Sequence, residues 1–416
     1  SSAASDVYKR QTMIVAETAI GRMTRKSPVG AFKSFGKKKW LSFGGWINAV
    51  IPVLIVPYYS VIGGWVIKYL VEYFRGNAKL LAEDGYFTDF ISNGVSTELC
   101  FVAFCAFTLI IIFAGVQNGI ERVSKIMMPI LIVLSVIIAV YSVTRPGALA
   151  GVKYFLVPNV KNFSWMTVVS AMGQMFYSLS IAMGILITFG SYMKKDTAIE
   201  DSTRNVEIFD TGIAIMAGLM IIPAVFAFSG GDPDTLQAGP SLMFITIPKV
   251  FQNMGFGTVI GIVFFLLVLF AAVTSSIALT ESAVSTFEDE LGWGRKKATV
   301  LVGVIMLALG SLSSLGYGPL AGIKIIGMQF LDLFDFLTNS VMMPIAALLT
   351  SLFVSRVVGI DKIEAEIIHG ESAFRRKKVF VVMIKYLCPV FAIIILLSSV
   401  ATVSYTHLRA HETELH

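Results

Sequence analysis

Nine stretches of this 416-residue chain carry no formal charge and are long enough to cross a bilayer: 40–67, 99–120, 126–144, 165–193, 211–231, 250–280, 298–323, 336–355 and 386–408. A membrane-crossing helix needs about 20 predominantly apolar residues. Residues 12–20 read as the end of a tenth, partial helix. No other feature narrows the fold so far, because in lipid every backbone N–H and C=O must be satisfied within the protein. The expected fold is therefore an all-α polytopic bundle with nine full spans and one partial span. Composition agrees: 56% of residues are hydrophobic and 14% charged, against about 25% charged in ordinary globular proteins. A soluble enzyme, a disordered chain and a coiled coil are excluded.

Lys and Arg in the short loops orient the bundle. With the loop Arg22–Lys39 on the cytoplasmic side, alternate loops place 21 basic residues there and seven opposite, at Arg75, Lys79, Arg145, Lys153, Lys161, Lys249 and Lys324. The net charge of +6 is too small and scattered for a nucleic-acid partner; the partner is the lipid bilayer, and the expected location is the cell inner (cytoplasmic) membrane. Cys100, Cys105 and Cys388 lie in apolar runs. Histidine is confined to His369 and the last ten residues, at His407, His411 and His416. Neither residue type sets up a metal or nucleophilic centre, so an embedded enzyme is not expected.

Both ends join abruptly to apolar helix. Residues 1–11, SSAASDVYKRQ, and 404–416, SYTHLRAHETELH, are polar strings that resemble sequencing-adapter read-through. They are expected to be non-native tails flanking a transmembrane domain of residues 12–403.

Polar groups at membrane depth need a reason. The run 165–193 is long for one crossing and holds Gly173, Gln174, Tyr177, Ser178, Ser180 and Gly184. Such residues permit a broken helix whose freed backbone groups hold an ion or zwitterion; close helix–helix contact through small residues is the equal alternative. Ala271, Thr274, Ser275 and Ser276 offer oxygens to Na⁺, or hydroxyls that bond back to their own helix. Glu17, Asp210, Glu281, Asp332 and Asp335 are the acids in or near the spans. Asp210 reads as a functional carboxylate or a helix cap. Glu281 either lines an aqueous path or pairs with a polar neighbour. Asp332 and Asp335, three apart on one helix face, are a gate or simply solvated. Tyr58-Tyr59 interrupt the run 40–67, and a buried tyrosine hydroxyl needs a partner, either a neighbouring helix or a ligand.

These features, in this order, resemble the neurotransmitter:sodium symporter family from about Met13 to about Val403. Glu17-Thr-Ala-Ile-Gly21-Arg22 resembles the end of the family's second helix, Tyr58-Tyr59 with Trp65 its third, and Gln174–Met183 with Ser191-Tyr192 its broken sixth. Thr274-Ser275-Ser276 with Phe287–Leu291 resembles the eighth, and Asp332–Phe336 the start of the tenth. The resemblance implies a LeuT-like inverted-repeat bundle with a broken sixth helix, and a first helix that lies upstream of this sequence. Transport is therefore expected of the intact parent, not of the chain as written.

What the resemblance implies for the site is specific. Ala271, Thr274 and Ser275 match one Na⁺ site, and Ser178 with Asp210 the other. Ile55, Tyr59, Tyr177, Ser178, Ser180, Met183, Ser275 and Leu279 match the substrate pocket, with the Tyr59 hydroxyl offered to a carboxylate. Asp335 matches an outer gate and Asp289 an inner gate. A short loop at 76–97, without a cysteine pair or glycosylation sequon, places the chain with bacterial-type members. The expectation is Na⁺-coupled symport of a neutral, hydrophobic or aromatic amino acid, without a chloride requirement because Asp210 already supplies a negative charge. A proton-coupled amino-acid carrier of the same fold and a non-transporting homologue are the alternatives.

Overall fold

The computed structural model describes residues 2–159, 163–232, 236 and 239–399, with side chains described from Thr12 onward except those of Val169 and Met172. Lys161, the end of the run 386–408 and the string 404–416 with its three histidines lie outside the described residues. Thirteen helices frame the site: α1 (Ser2–Thr24), α2 (Pro28–Lys33), α3 (Lys39–Phe74), α4 (Gly94–Phe113), α5 (Val116–Val143), α6 (Trp165–Ser178), α7 (Ile185–Tyr192), α8 (Ile199–Ser229), α9 (Gly257–Leu291), α10 (Arg295–Leu315), α11 (Phe330–Val358), α12 (Ile360–Ile368) and α13 (Lys377–Ser399). Eight of them, α3, α4, α5, α8, α9, α10, α11 and α13, are long and apolar enough to cross a membrane. The interrupted pair α6–α7 fills the run 165–193.

The long helices α3 and α9 pack against each other and form the spine. Helix α3 stays continuous through Pro52, Pro57 and the tyrosine pair. Apolar run and helix do not always coincide. The run 99–120 contains the turn between α4 and α5, where Gly115 adopts φ +88°. The run 250–280 contains a second turn, between the short helix Leu242–Gln252 and α9. Runs defined by the absence of charge do not register such turns, because the turn residues, Ala114-Gly115 and 253–256, are uncharged too.

Lipid tails are as apolar as leucine, so helices associate through close packing more than through hydrophobic burial. Helices α1 and α7 show this. A Cβ on Gly21 would lie 2.0 Å from the Ile187 carbonyl oxygen, and one on Gly190 would lie 2.5 Å from that of Thr18. Only glycine allows the two backbones to touch at both points.

The α6–α7 break is real. Ser180, Ala182 and Gly184 have φ values of +54°, +59° and +70°, a conformation that interrupts α-helical hydrogen bonding. Buried Glu17 of α1 reaches the break, where its Oε1 accepts a hydrogen bond from the Ala182 amide at 2.9 Å. A carboxylate thus satisfies a donor that helix continuity would otherwise have satisfied.

Candidate substrate and ion site

Beside the break lies a cavity of about 470 Å³. Ile55 and Tyr59 come from α3, Tyr177 and Ser178 from the end of α6, and Ser180 and Met183 from the break itself. Ser275 and Leu279 come from α9, one turn apart, with Thr274 beside them. All eight residues expected of a substrate pocket therefore line one space. They span more than 220 positions of sequence and are joined by the packing of α3, α9 and the interrupted pair. The walls divide chemically: Ile55, Met183 and Leu279 are apolar and buried, while Tyr59, Ser178, Ser180 and Ser275 present hydroxyls. The Tyr59 hydroxyl lies against that of Ser275. No Lys, Arg, Asp or Glu is among the lining residues.

Ser178 donates a hydrogen bond from its hydroxyl to Asp210 Oδ1 at 2.6 Å. The two residues are 32 positions apart, and the break, α7 and the turn into α8 bring them together. Asp210 is inside helix α8 (Ile199–Ser229) rather than at its start, so the cap reading does not hold. On α9 the Thr274 hydroxyl donates to the carbonyls of Phe270 at 3.1 Å and Ala271 at 3.0 Å. Back-bonding is therefore present, yet a donating hydroxyl retains its lone pairs. Ala271 carries one of the accepting carbonyls, on the same turn.

The two adjacent tyrosines point in different directions, as successive residues about 100° apart on a helix must. Tyr59 faces the cavity. Tyr58 is buried and donates to Asp335 Oδ1 at 3.2 Å. Asn339 donates to the same oxygen at 2.6 Å, across the π-type turn Phe336–Met342 that follows Asp335. Asp332, three residues earlier, instead accepts from the Tyr317 hydroxyl at 3.2 Å. The two acids thus have separate partners, and neither is merely solvated. Asp289, at the other end of α9, accepts from the Ser27 amide at 2.5 Å. It anchors the turn into α2, with Lys33 paired to Glu290 at 2.5 Å alongside.

Glu281 pairs with a polar neighbour. It is fully buried and takes the Tyr192 hydroxyl at 2.7 Å and the Arg295 guanidinium at 3.0 and 2.5 Å. This cluster ties α7 to α9 and α10. Residue-by-residue reading missed four lining positions: Met128, Gln174, Ile185 and Ala278. Gln174 was legible, being one helical turn before Ser178. Met128 sits in an ordinary apolar run of α5 and carries no sequence signal.

Fold and site define an ion-coupled membrane transporter with a broken-helix centre. The sequence pattern of the Sodium:neurotransmitter symporter family matches residues 87–412. A sodium-dependent transporter of Bacillus subtilis (strain 168), YhdH, is 33% identical over 397 residues, 94% of this chain and 87% of the relative. A sodium-dependent transporter of Haemophilus influenzae is 30% identical over 404 residues, covering 93% and 86%. Among solved structures, the crystal structure of MhsT in complex with L-phenylalanine superposes with a TM-score of 0.82 at 34% identity, over 94% of this chain and 88% of that one. The chain belongs to the sodium:neurotransmitter symporter family. It is a multi-pass membrane protein with the LeuT-type fold, of a family of sodium-dependent transporters rather than a class of enzymes.

Proposed function

We propose that the intact protein couples Na⁺ entry to uptake of a neutral, hydrophobic or aromatic amino acid across the cytoplasmic membrane. The convergence of the eight pocket residues on one cavity carries this reading. An uncharged cavity with an apolar floor suits an apolar side chain. A charged side chain there would lose its hydration without gaining an ionic partner. The similar MhsT was crystallised with L-phenylalanine, which fits that polarity.

In this reading the Tyr59 hydroxyl donates to the substrate carboxylate, and the freed backbone around Ser180–Gly184 receives its polar end. Met183, flexible at three torsions, adapts the pocket to side chains of different shape. The Ala271 carbonyl with the Thr274 and Ser275 hydroxyls supplies oxygens for one sodium ion, and Ser178 with Asp210 for a second. Asp335, held by Tyr58 and Asn339, gates the outer side; Asp289, held by the Ser27 amide, gates the inner side. Cation binding at the break stabilises an outward-facing arrangement, substrate closes it, and release inside completes the cycle.

Radiolabelled uptake by the intact protein tests the proposal. Leucine and tryptophan should compete strongly, glutamate and lysine weakly. Ser275→Ala should raise the Na⁺ concentration needed for half-maximal uptake about tenfold, the effect of losing about 1.4 kcal/mol of binding. An unchanged Na⁺ activation curve rejects the Ser275 assignment. Full uptake without Na⁺ rejects sodium coupling and favours a proton-coupled carrier.

A further inference from the structure

No acidic residue occurs between Glu17 and Glu72, and the segment that ends α2 and opens α3 holds Lys33, Lys37, Lys38 and Lys39. Lys33 is paired with Glu290 at 2.5 Å. Lys37, Lys38 and Lys39 are exposed, and among the described residues none of the three has an acidic partner within ion-pair distance. Three adjacent ammonium groups repel one another, so the cluster lacks the anion that would offset that repulsion.

Helix α3 begins at Lys39 and continues this cluster into an apolar stripe. Lys39, Phe43 and Trp46 fall within about 60° of one another around the helix. Phe43 is 57% exposed and Trp46 38%, whereas Leu41 and Ile47, off that stripe, are buried. Phe43 lies about 6 Å beyond Lys39 along the axis, and Trp46 about 10 Å. The Lys33 ammonium stands 5.9 Å from the centroid of the Trp46 ring, so a fourth lysine borders the same stripe. Basic loops assign this end of α3 to the cytoplasmic side, and exposed tryptophan is typical of the membrane–water interface. From water inward the surface therefore presents positive charge first, then aromatic rings. A phospholipid with a negative head presents the complementary order, phosphate first and acyl chain beyond it.

We propose that this surface is a binding site for an anionic phospholipid of the cytoplasmic leaflet. Lys37, Lys38 and Lys39 donate to its phosphate, and one acyl chain lies against Phe43 and Trp46. Each ammonium carries three donors and no acceptor, which phosphate oxygens complement with charge-assisted hydrogen bonds. A choline lipid has the same phosphate but brings a fixed cation toward three lysines. A soluble anion would meet the lysines and leave Phe43 and Trp46 uncovered. None of these residues lines the substrate cavity, so the site does not depend on the transport reading.

The test is native mass spectrometry of the delipidated intact protein after incubation with equimolar phosphatidylglycerol and phosphatidylcholine of identical acyl chains. A lysine close to an anionic lipid surface is worth about fivefold in affinity, so the three together should favour phosphatidylglycerol at least about tenfold. The triple variant Lys37→Gln/Lys38→Gln/Lys39→Gln, at exposed positions where folding is not at stake, should bring the ratio within about twofold of one. Lys194→Gln/Lys195→Gln, which removes two exposed charges from another cytoplasmic turn, should keep the preference. Phe43→Ala/Trp46→Ala should reduce retention of both lipids several-fold and leave their ratio in place. Equal retention of the two lipids by the unaltered protein, or an undiminished preference in the triple variant, overturns the proposal. Equal loss in the Lys194/Lys195 variant also overturns it, because net charge alone would then explain the selectivity. So does displacement of the lipid by millimolar inorganic phosphate, which would make a soluble anion the occupant, or a dimer that Phe43→Ala/Trp46→Ala dissociates, which would make it a second copy.

Discussion

Separating Glu281 from Arg295 should weaken the protein far more than removing both charges together. Glu281 is fully buried and accepts three hydrogen bonds, two from Arg295 and one from Tyr192. The Arg295 side chain is 22% exposed, and its Nε also donates to the Ile112 carbonyl at 3.0 Å. Removing one partner of a buried pair costs about 3–5 kcal/mol, because the other charge is left uncompensated. Residual exposure of Arg295 puts Glu281→Ala near the lower end, about 3 kcal/mol, with about 1 kcal/mol more for the orphaned Tyr192 hydroxyl. Glu281→Gln keeps an acceptor for Tyr192 and should cost about 2 kcal/mol. Arg295→Met leaves Glu281 buried with only Tyr192 beside it and should cost about 4 kcal/mol. The double variant Glu281→Gln/Arg295→Met leaves no fully buried charge unpaired; Glu288, 3.8 Å from Arg295, loses that partner but keeps 27% of its side chain exposed. It should lose at least about 2 kcal/mol less than the sum of its two single variants, a coupling within the range of direct contacts. Unfolding by titration with a denaturing detergent, followed by tryptophan fluorescence, measures each corner of this cycle. Additivity within about 0.5 kcal/mol would show that the pair is not energetically coupled, and would refute the reasoning.

Three further outcomes are expected. Uptake by the intact protein should persist when chloride is replaced by gluconate, whereas Asp210→Asn should either lose activity or acquire a chloride requirement; a carboxylate about 4 Å from a cation attracts it by roughly 4 kcal/mol at an effective dielectric of 20, and an Asn variant that behaves identically sinks the idea. Gly21→Ala should destabilise the protein by about 1–3 kcal/mol, because its Cβ would meet the Ile187 carbonyl at 2.0 Å; an unchanged unfolding midpoint would show that α1 and α7 can separate freely. Burial and the neighbouring Glu200 carboxylate hold the Glu371 carboxyl, in the loop before α13, above its usual value of 4.5, although the Glu200 amide bonded to its Oε1 at 2.6 Å opposes the shift. A raised carboxyl stabilises the folded state while protonated, and that contribution disappears as pH rises past 4.5 and through the raised value; Glu371→Gln should therefore melt above the natural protein at pH 8 and level with it near pH 4, and equal melting at pH 8 counts against the assignment.

Much of this protein is written in its local sequence. Uncharged runs of bilayer length force helices, because the solvent provides no other partner for the backbone. Small and hydroxylated residues within 165–193 marked the place where one helix breaks, and the basic loops carry the expected orientation. The family resemblance, carried by short strings such as Thr274-Ser275-Ser276, named eight residues that one cavity brings together, but not Met128, Gln174, Ile185 or Ala278, which also line it.

Tertiary structure decided what depends on rotation and depth. Of two neighbouring tyrosines, packing turned Tyr59 to the cavity and Tyr58 to Asp335. Glu281 was equally open to an aqueous path or a partner until α10 brought Arg295 against it. Glu17 gained its purpose only when α1 met the break at Ala182, and the turn at Gly115 is hidden inside an apolar run. The reason is physical. Hydropathy, charge and propensity act within a few residues and are imposed by lipid and water. Which side chains meet is set by glycine contacts such as Gly21 on Ile187, which fix how far each helix turns and slides against the next.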